Sequence, residues 1–539
     1  MSVNTVVKAI ADERGVQFGP DDLVRIKLSS SQCPIINPLQ SFLRFEVKLK
    51  TPEGQIPTAC SLDDEAYGAG ALIDYVEIVT MGENIRLETI QEWGHLIGTV
   101  KHYQETPSLR HQWSLQEGYS PDAQTSLNSL YYRKNTTASP TTYDFKTVQI
   151  CYPLYLSGLL YGYTAFPNVA LQSGIEVRIK LNSANQALVA CKVGYENTLA
   201  NRFCLGGYYT VAGPPVKTAG AIPAATNISG VYLCATGEAD PAVDGRICDS
   251  LADCPYVVGD QLFLTDATPA QLDCGTITAI TLDAGNIKIE TNSMGGAGLA
   301  VAAGAPVKTP VYSTLTPSTG VKGCTYELTN LNMVCGVVNA SPEYVRSLSN
   351  SVNGGGIEYP YKSYELYRVN VQRNVNKASQ FIPCNIKRCK SILSTPYNST
   401  DLPALTSSSF VPVQDGMSNY QYLLNAFDGG VVLTPSQRVR TDRMSPLQQG
   451  TNQIAIKEIE KGIGSCGWSV PHLNDSYKKF LVARELAKDS FLYDASRGED
   501  MRLNVEYGAG GATADKIFHH QVCCHKHLQI RREGINVDV

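Results

Sequence analysis

Apolar and polar side chains alternate strictly in three stretches of the N-terminal half. Val24, Ile26 and Leu28 alternate with Arg25 and Lys27. Leu43, Phe45, Val47 and Leu49 alternate with Arg44, Glu46, Lys48 and Lys50, and Ile175, Val177, Ile179 and Leu181 with Glu176, Arg178 and Lys180. A period of two turns one face to a core and the other to water, which predicts antiparallel strands at 23–28, 42–50 and 175–181. Residues 71–80 read as a further strand, with a turn at 81–84 leading into 85–87. The period then changes. Ile90, Trp93, Leu96, Ile97 and Val100 recur at helical spacing and predict a helix over 88–103, followed by a polar, proline-bearing loop over 104–142.

Residues 143–181 organise this half. Two strands flank the passage from Tyr152 to Pro167, which holds Leu159, Leu160, Tyr161 and Phe166 and no charged residue. Such a surface is expected to be covered by protein. Residues 1–20 read as a weakly helical arm ending at Gly19-Pro20. From about 190 to 322 the composition shifts to Gly, Ala, Thr, Pro and Asp, and we read it as an insertion with strands at 231–234, 261–265, 277–282 and 286–290.

Regular pattern returns at 326–338, then a helix start with Ser341 as N-cap and Pro342 at the first position. Residues 350–360 read as a linker. A second round follows, with strands at 364–371, 381–393, 420–424, 431–434 and 453–459, a helix at about 475–487, and strands at 502–507 and 521–532. The repeated order predicts two similar β-domains in tandem.

Composition narrows the function. At 539 residues the chain exceeds one ordinary core. Charged residues are only 18%, with 29 Tyr against 13 Phe, a balance suited to β-structure and protein contact. A net charge of −5 offers no field to draw in nucleic acid or an anionic membrane. The N-terminal residues carry charges from Lys8 onward, so neither a signal peptide nor a membrane span is expected there, and synthesis in the cytosol is expected. The sequons at Asn135, Asn227, Asn339, Asn398 and Asn474 are then expected to stay unmodified. The 16 cysteines are dispersed rather than framed in short repeats.

The chain resembles the double jelly-roll major capsid proteins of polinton-like viruses, virophages and adintoviruses. The resemblance is carried by Pro34, Pro38 and Ser41-Phe42-Leu43-Arg44-Phe45, by 71–84 leading into the Trp93 helix, by Pro153-Leu154, Leu156-Ser157-Gly158-Leu159-Leu160 and Phe166-Pro167 with the strand after it, by 326–341, and by Tyr420-Gln421-Tyr422. It implies an all-β fold of two tandem jelly-roll sandwiches with short helices: an arm at 1–20, a first roll at 21–349 interrupted by the 190–322 insertion, and a second roll at 350–539. It further implies a homotrimer of pseudo-hexagonal outline tiling an icosahedral shell in the virion. Expected partners are neighbouring capsomers and a penton or minor capsid protein. The insertion would be an exterior tower able to meet a host receptor. The Tyr152–Pro167 corner (Leu159, Leu160, Tyr161, Phe166) and Trp93 would then serve packing or assembly, with a charge at Leu159 or Leu160 blocking assembly.

His519, His520, Cys523, Cys524, His525 and His527 cluster near the C-terminus, and Cys523, His525 and His527 would share one strand face as zinc ligands. The usual zinc spacings are absent, and a polar strand face is the plainer reading. Cys234, Cys248, Cys254 and Cys274 are candidates for stapling the insertion, with free thiols the default in a reducing cytosol. The glycine runs at 354–356 and 508–511 lack the Lys-Ser/Thr of a phosphate loop. Lys387-Arg388-x-Lys390 and Arg531-Arg532 are short basic segments. Ser465-Cys466 with His472, and the acids Asp63, Asp64 and Glu65, suggest nucleophile or glycosidase chemistry only weakly. No catalysis and no cofactor are expected. The alternative is a β-sandwich adhesin or fibre-type protein binding glycans through 190–322.

Overall fold

The computed structural model describes residues 2–8, 17–50, 59–119, 132–134, 143–145, 147–195, 203–211, 217–219, 228–235, 261–265, 271–283, 286–292, 307–308, 310–314, 325–338, 341–399, 408–424, 427–428, 431–432, 439–440, 453–470, 480–486, 492–496, 501–508 and 510–538. The alternating stretches are strands, and they pair antiparallel. In the first half they are β1 (Ser2–Lys8), β2 (Gln17–Phe18), β3 (Leu23–Ser29), β4 (Ile36–Lys50), β5 (Ile73–Thr80), β6 (Arg86–Ile90), β7 (Val148–Tyr152), β8 (Gly174–Leu181) and β9 (Thr325–Val338). One sheet runs β1-β9-β4-β7, with β2 also on β9, and the other runs β3-β8-β5-β6. Val24, Ile26 and Leu28 meet Leu43, Phe45, Val47 and Ile175, Val177, Ile179 in one buried cluster between the sheets, as the period of two requires.

The second half repeats the plan. Its strands are β10 (Ile357–Val371), β11 (Lys377–Ile382), β12 (Cys389–Asn398), β13 (Met417–Leu424), β14 (Val439–Arg440), β15 (Val482–Glu485), β16 (Met501–Tyr507) and β17 (Lys516–Arg531), with β18 (Gly534–Asp538) added at the edge of β17. The sheets run β10-β17-β12-β15 and β11-β16-β13-β14. Counting strands from the start of each half and taking β1 and β2 together as the first, both halves read first-eighth-third-sixth in one sheet and second-seventh-fourth-fifth in the other. Eight strands wound this way over two facing sheets form a jelly roll.

Several elements depart from the sequence reading. Ser2–Lys8, read as part of a weakly helical arm, is a strand along Asn332–Val338. The helix predicted over 88–103 is shorter: α1 spans Trp93–Gln104, because Leu87, Glu88 and Ile90 are buried in β6 and Glu92 at φ 51° breaks the chain between them. The loop predicted over 104–142 contains helix α2 (Pro107–Glu117), started by Thr106 accepting from the Leu109 amide and by Pro107 at its first turn. The Ser341 start is found as predicted, opening α3 (Pro342–Gly354). The linker predicted over 350–360 is reduced to Gly355-Gly356, since α3 runs to Gly354 and β10 starts at Ile357. The single strand predicted over 381–393 is two, β11 and β12. The strand predicted over 453–459 is helix α4 (Gln453–Ser465), whose Ala455, Ile459 and Ile463 are buried at helical spacing. The helix predicted at 475–487 is contradicted over Val482–Glu485, which pair with Ser391–Ser394, and Phe480 to Ala483 are a continuous buried run. Residues 471–479 lie outside the described part.

Between β8 and β9 lies the insertion. The strands expected there are present, within Ile228–Ala235, Gln261–Thr265, Gln271–Asp283 and Asn286–Thr291, in one seven-stranded sheet. The chain leaves through Leu188–Tyr195 and returns through Pro310–Thr314, which pair with each other, and Ala59–Leu62 from the β4–β5 connection pairs with the outgoing strand. The insertion is therefore rooted in a three-stranded stem.

Candidate functional site at the seam between the rolls

The uncharged passage after β7 turns out to face the second roll. Leu154, Leu156, Leu159, Leu160 and Phe166 are buried in the same cluster as Tyr359, Tyr361, Tyr364, Trp468, Cys523 and Leu528 of the second half. Gly158 explains the close approach: a Cβ there would stand 1.9 Å from the Lys362 carbonyl oxygen, so only glycine lets this corner touch β10. Tyrosine hydroxyls cross the seam to backbone acceptors, Tyr359 donating to the Thr164 carbonyl at 2.7 Å and Tyr361 to that of Leu87. Leu159, Leu160 and Phe166 thus pack inside one chain, and Tyr161 is half-buried at the seam's edge. Trp93 is buried in α1 and donates to the Tyr152 hydroxyl at 2.9 Å.

Charged groups at the seam are hydrogen-bonded or ion-paired. Glu88 accepts from Ser157 Oγ and from the Gly158 amide at 3.1 Å, and burial pushes its pKa up against those hydrogen bonds. The Lys101 ammonium meets Glu117, which also accepts from Tyr155 OH, and lies 4.3 Å from the Tyr155 ring centre and 4.7 Å from that of Trp113. Burial lowers the Lys101 pKa and raises that of Glu117, opposed in each case by the other's charge. Beside them a cavity of about 550 Å³ opens between the rolls, lined by Trp113, Tyr155, Tyr161, Tyr361, Lys362 and Trp468.

The C-terminal His/Cys cluster lies on β17, whose sheet has one face on its own roll and the other on the seam. Phe518 through Cys524 are all buried, so the plainer reading of a polar strand face is corrected: a sheet covered on both sides buries successive residues. The proposed zinc trio is not gathered. Burial raises the Cys523 thiol pKa well above its ordinary value, and Cys523 lies against Cys466. His527 Nδ1 is taken up by Glu358, and His525 is half-buried with its pKa lowered to about 4 by burial and then by Lys390. Among the described residues, the side chains close enough to share an ion are Glu92, His95 and His519, which a sequence separation of hundreds of residues had hidden.

The other candidates have structural partners. Lys387 and Arg388 pair with Asp538 at 2.7 and 3.0 Å. Ser465 Oγ donates to Glu485, Cys466 is buried 2.9 Å from Ser391 Oγ, and His472 lies outside the described residues. Asp63 is buried and accepts from the Glu65 amide. Cys234, Cys248, Cys254 and Cys274 fall where side chains are not described.

Two eight-stranded sandwiches of one strand order, fused through a buried apolar seam, settle the fold. The chain is a double jelly roll. It matches no family model and no curated protein. Solved structures align with this double jelly roll end to end. The VP54 protein of PBCV-1 fitted into the virophage Sputnik does so at 10% identity and TM-score 0.45, over 100% of this chain and 97% of that one. The Faustovirus major capsid protein aligns at 10% identity and TM-score 0.45 over 98% and 91%, and the STIV capsid protein at 8% and 0.37 over 96% of each chain. At these scores the strand order, not the likeness, carries the assignment.

Proposed function

We propose that this protein is the major building block of an icosahedral viral shell, with a structural rather than catalytic role. The repeated strand order within one chain carries the reading. Two equivalent rolls locked side by side present nearly the same outline twice, so three copies about a threefold axis place six rolls in a ring and make a tile of hexagonal outline. The buried seam supports this, because a tile needs its two halves fixed relative to each other. On this reading neighbouring tiles and a vertex or minor capsid protein are the partners, and the virion is the location. Residues 21–349 and 350–539 are the two roll domains, 1–20 a terminal segment that adds β1 and β2 to the first, and 190–322 the outward tower on its stem, free to meet a host surface.

Light scattering on the purified protein is expected to give three times the 58.5 kDa chain mass. A monomer that persists at high protein concentration would overturn the proposal. A glycan array read with the isolated trimer separates the adhesin alternative, which requires saccharide binding lost when the insertion is excised at its stem.

A further inference from the structure

We infer that Glu92, His95 and His519 form a divalent transition-metal site, best suited to zinc, that clasps the first roll to the second. A Glu92 carboxylate oxygen and a ring nitrogen from each histidine lie within 4.8 Å of one another. Zinc with bonds of about 2.1 Å holds tetrahedral donors roughly 3.4 Å apart, within reach of small side-chain adjustments here. Two histidines and a carboxylate form a known zinc donor set, with a fourth position left for water.

The surroundings point to a cation. His95 Nε2 lies 3.2 Å from the Ser409 carbonyl oxygen, which can only accept, so the proton sits on Nε2. Nδ1 of His95 lies 2.8 Å from Glu92 Oε2, outside hydrogen-bond alignment. With Nε2 protonated, the Nδ1–Oε2 approach calls for a positive charge between them, supplied by a metal ion or by a second proton on His95. His519 is buried, and its Nδ1 also lacks a hydrogen-bond partner. A backbone carbonyl fixing the far nitrogen of a histidine is the usual outer support of a metal ligand, and Arg368 on the other oxygen of Glu92 orients the carboxylate. Glu92 itself sits at the N-cap of α1 at φ 51°, ψ 49° without capping the helix. A non-glycine residue held there spends backbone strain on placing its side chain in the cluster. The rings of His95, His519, Tyr397 and Phe410 pack at 4.6 to 5.0 Å and hold the ligands in place. Glu92 and His95 come from the N-terminal end of α1 and His519 from β17, so a bound ion ties the rolls together.

The test is calorimetric titration of the chelator-stripped full-length protein with Zn²⁺ alone, alongside thermal unfolding. One ion per chain and a raised unfolding temperature are expected. Glu92→Gln and His519→Gln should each weaken binding by at least about tenfold, the loss seen even for outer-shell partners, while His527→Gln leaves it unchanged. Should the buried variants fail to fold, nitrogen-15 NMR of the wild type reads the same site: Zn²⁺ must shift the ring resonances of His95 and His519 and leave His527 in place. No uptake at excess Zn²⁺, meaning that a proton on His95 alone satisfies Glu92, overturns the inference. Uptake that follows His527 or the cysteines does so equally.

Discussion

At the scale of single residues, the seam is decided by what fits rather than by what reacts. Gly158→Ala places a methyl group against the Lys362 backbone, and denaturant unfolding should show a loss of about 2–3 kcal/mol. Leu160→Asp puts a charge among buried apolar groups, and an effect of at least about 4 kcal/mol is expected, seen as failure to obtain folded protein. Tyr163→Asp, at a position 90% exposed, should leave yield and melting unchanged. The earlier expectation that a charge at Leu159 or Leu160 blocks assembly therefore moves back one step, to folding of the chain itself. His525 gives a pH test. Its folded pKa of about 4 lies below the unfolded value near 6.5, through burial and the charges of Lys390, His527, Lys362 and Arg388. The unfolded chain binds the extra proton between those values, so stability falls as pH drops from about 6.5 to 4. His525→Gln should flatten the pH dependence of the unfolding midpoint in that window, and an unchanged slope would remove His525 from the account.

At the scale of elements, strands facing one core and water were legible, because a period of two survives wherever one face is wet. The alternation at 23–28 and 175–181 located β3 and β8 to within one residue at each end, and that at 42–50 located the second part of β4, which starts at Ile36. Elements covered on both faces were not. The helix read at about 475–487 rests on Leu481, Arg484 and Glu485 at helical spacing, whereas β15 is buried between α4 and its own roll, and the strand read over 453–459 rests on Ile454 and Ile456 alternating over one short stretch of α4. Caps were legible where their chemistry is local, as at Ser341. Ser341→Ala should cost about 1 kcal/mol, and because α3 buries no side chain, hydrogen exchange should report loss of protection in that helix alone. The Glu92, His95 and His519 cluster was out of reach for the opposite reason: it joins a helix of one roll to a strand of the other, and no spacing rule spans that distance.

At the scale of the whole molecule, a repeated eight-strand order and a seam with one continuous apolar cluster make the two rolls a single unit. On the proposed reading, internal equivalence of that kind would give a threefold assembly six similar corners, as a shell of hexagonal tiles demands. The insertion lies in the connection between the seventh and eighth strands of the first roll and leaves both strand orders intact. Excising it across the paired stem should preserve assembly, checked by the sedimentation of the shortened protein against the intact one. Electron microscopy of the purified full-length protein tests the central claim most directly. The account predicts class averages of threefold particles with a six-sided outline built from two rolls per chain, and single two-lobed particles at every concentration would contradict it.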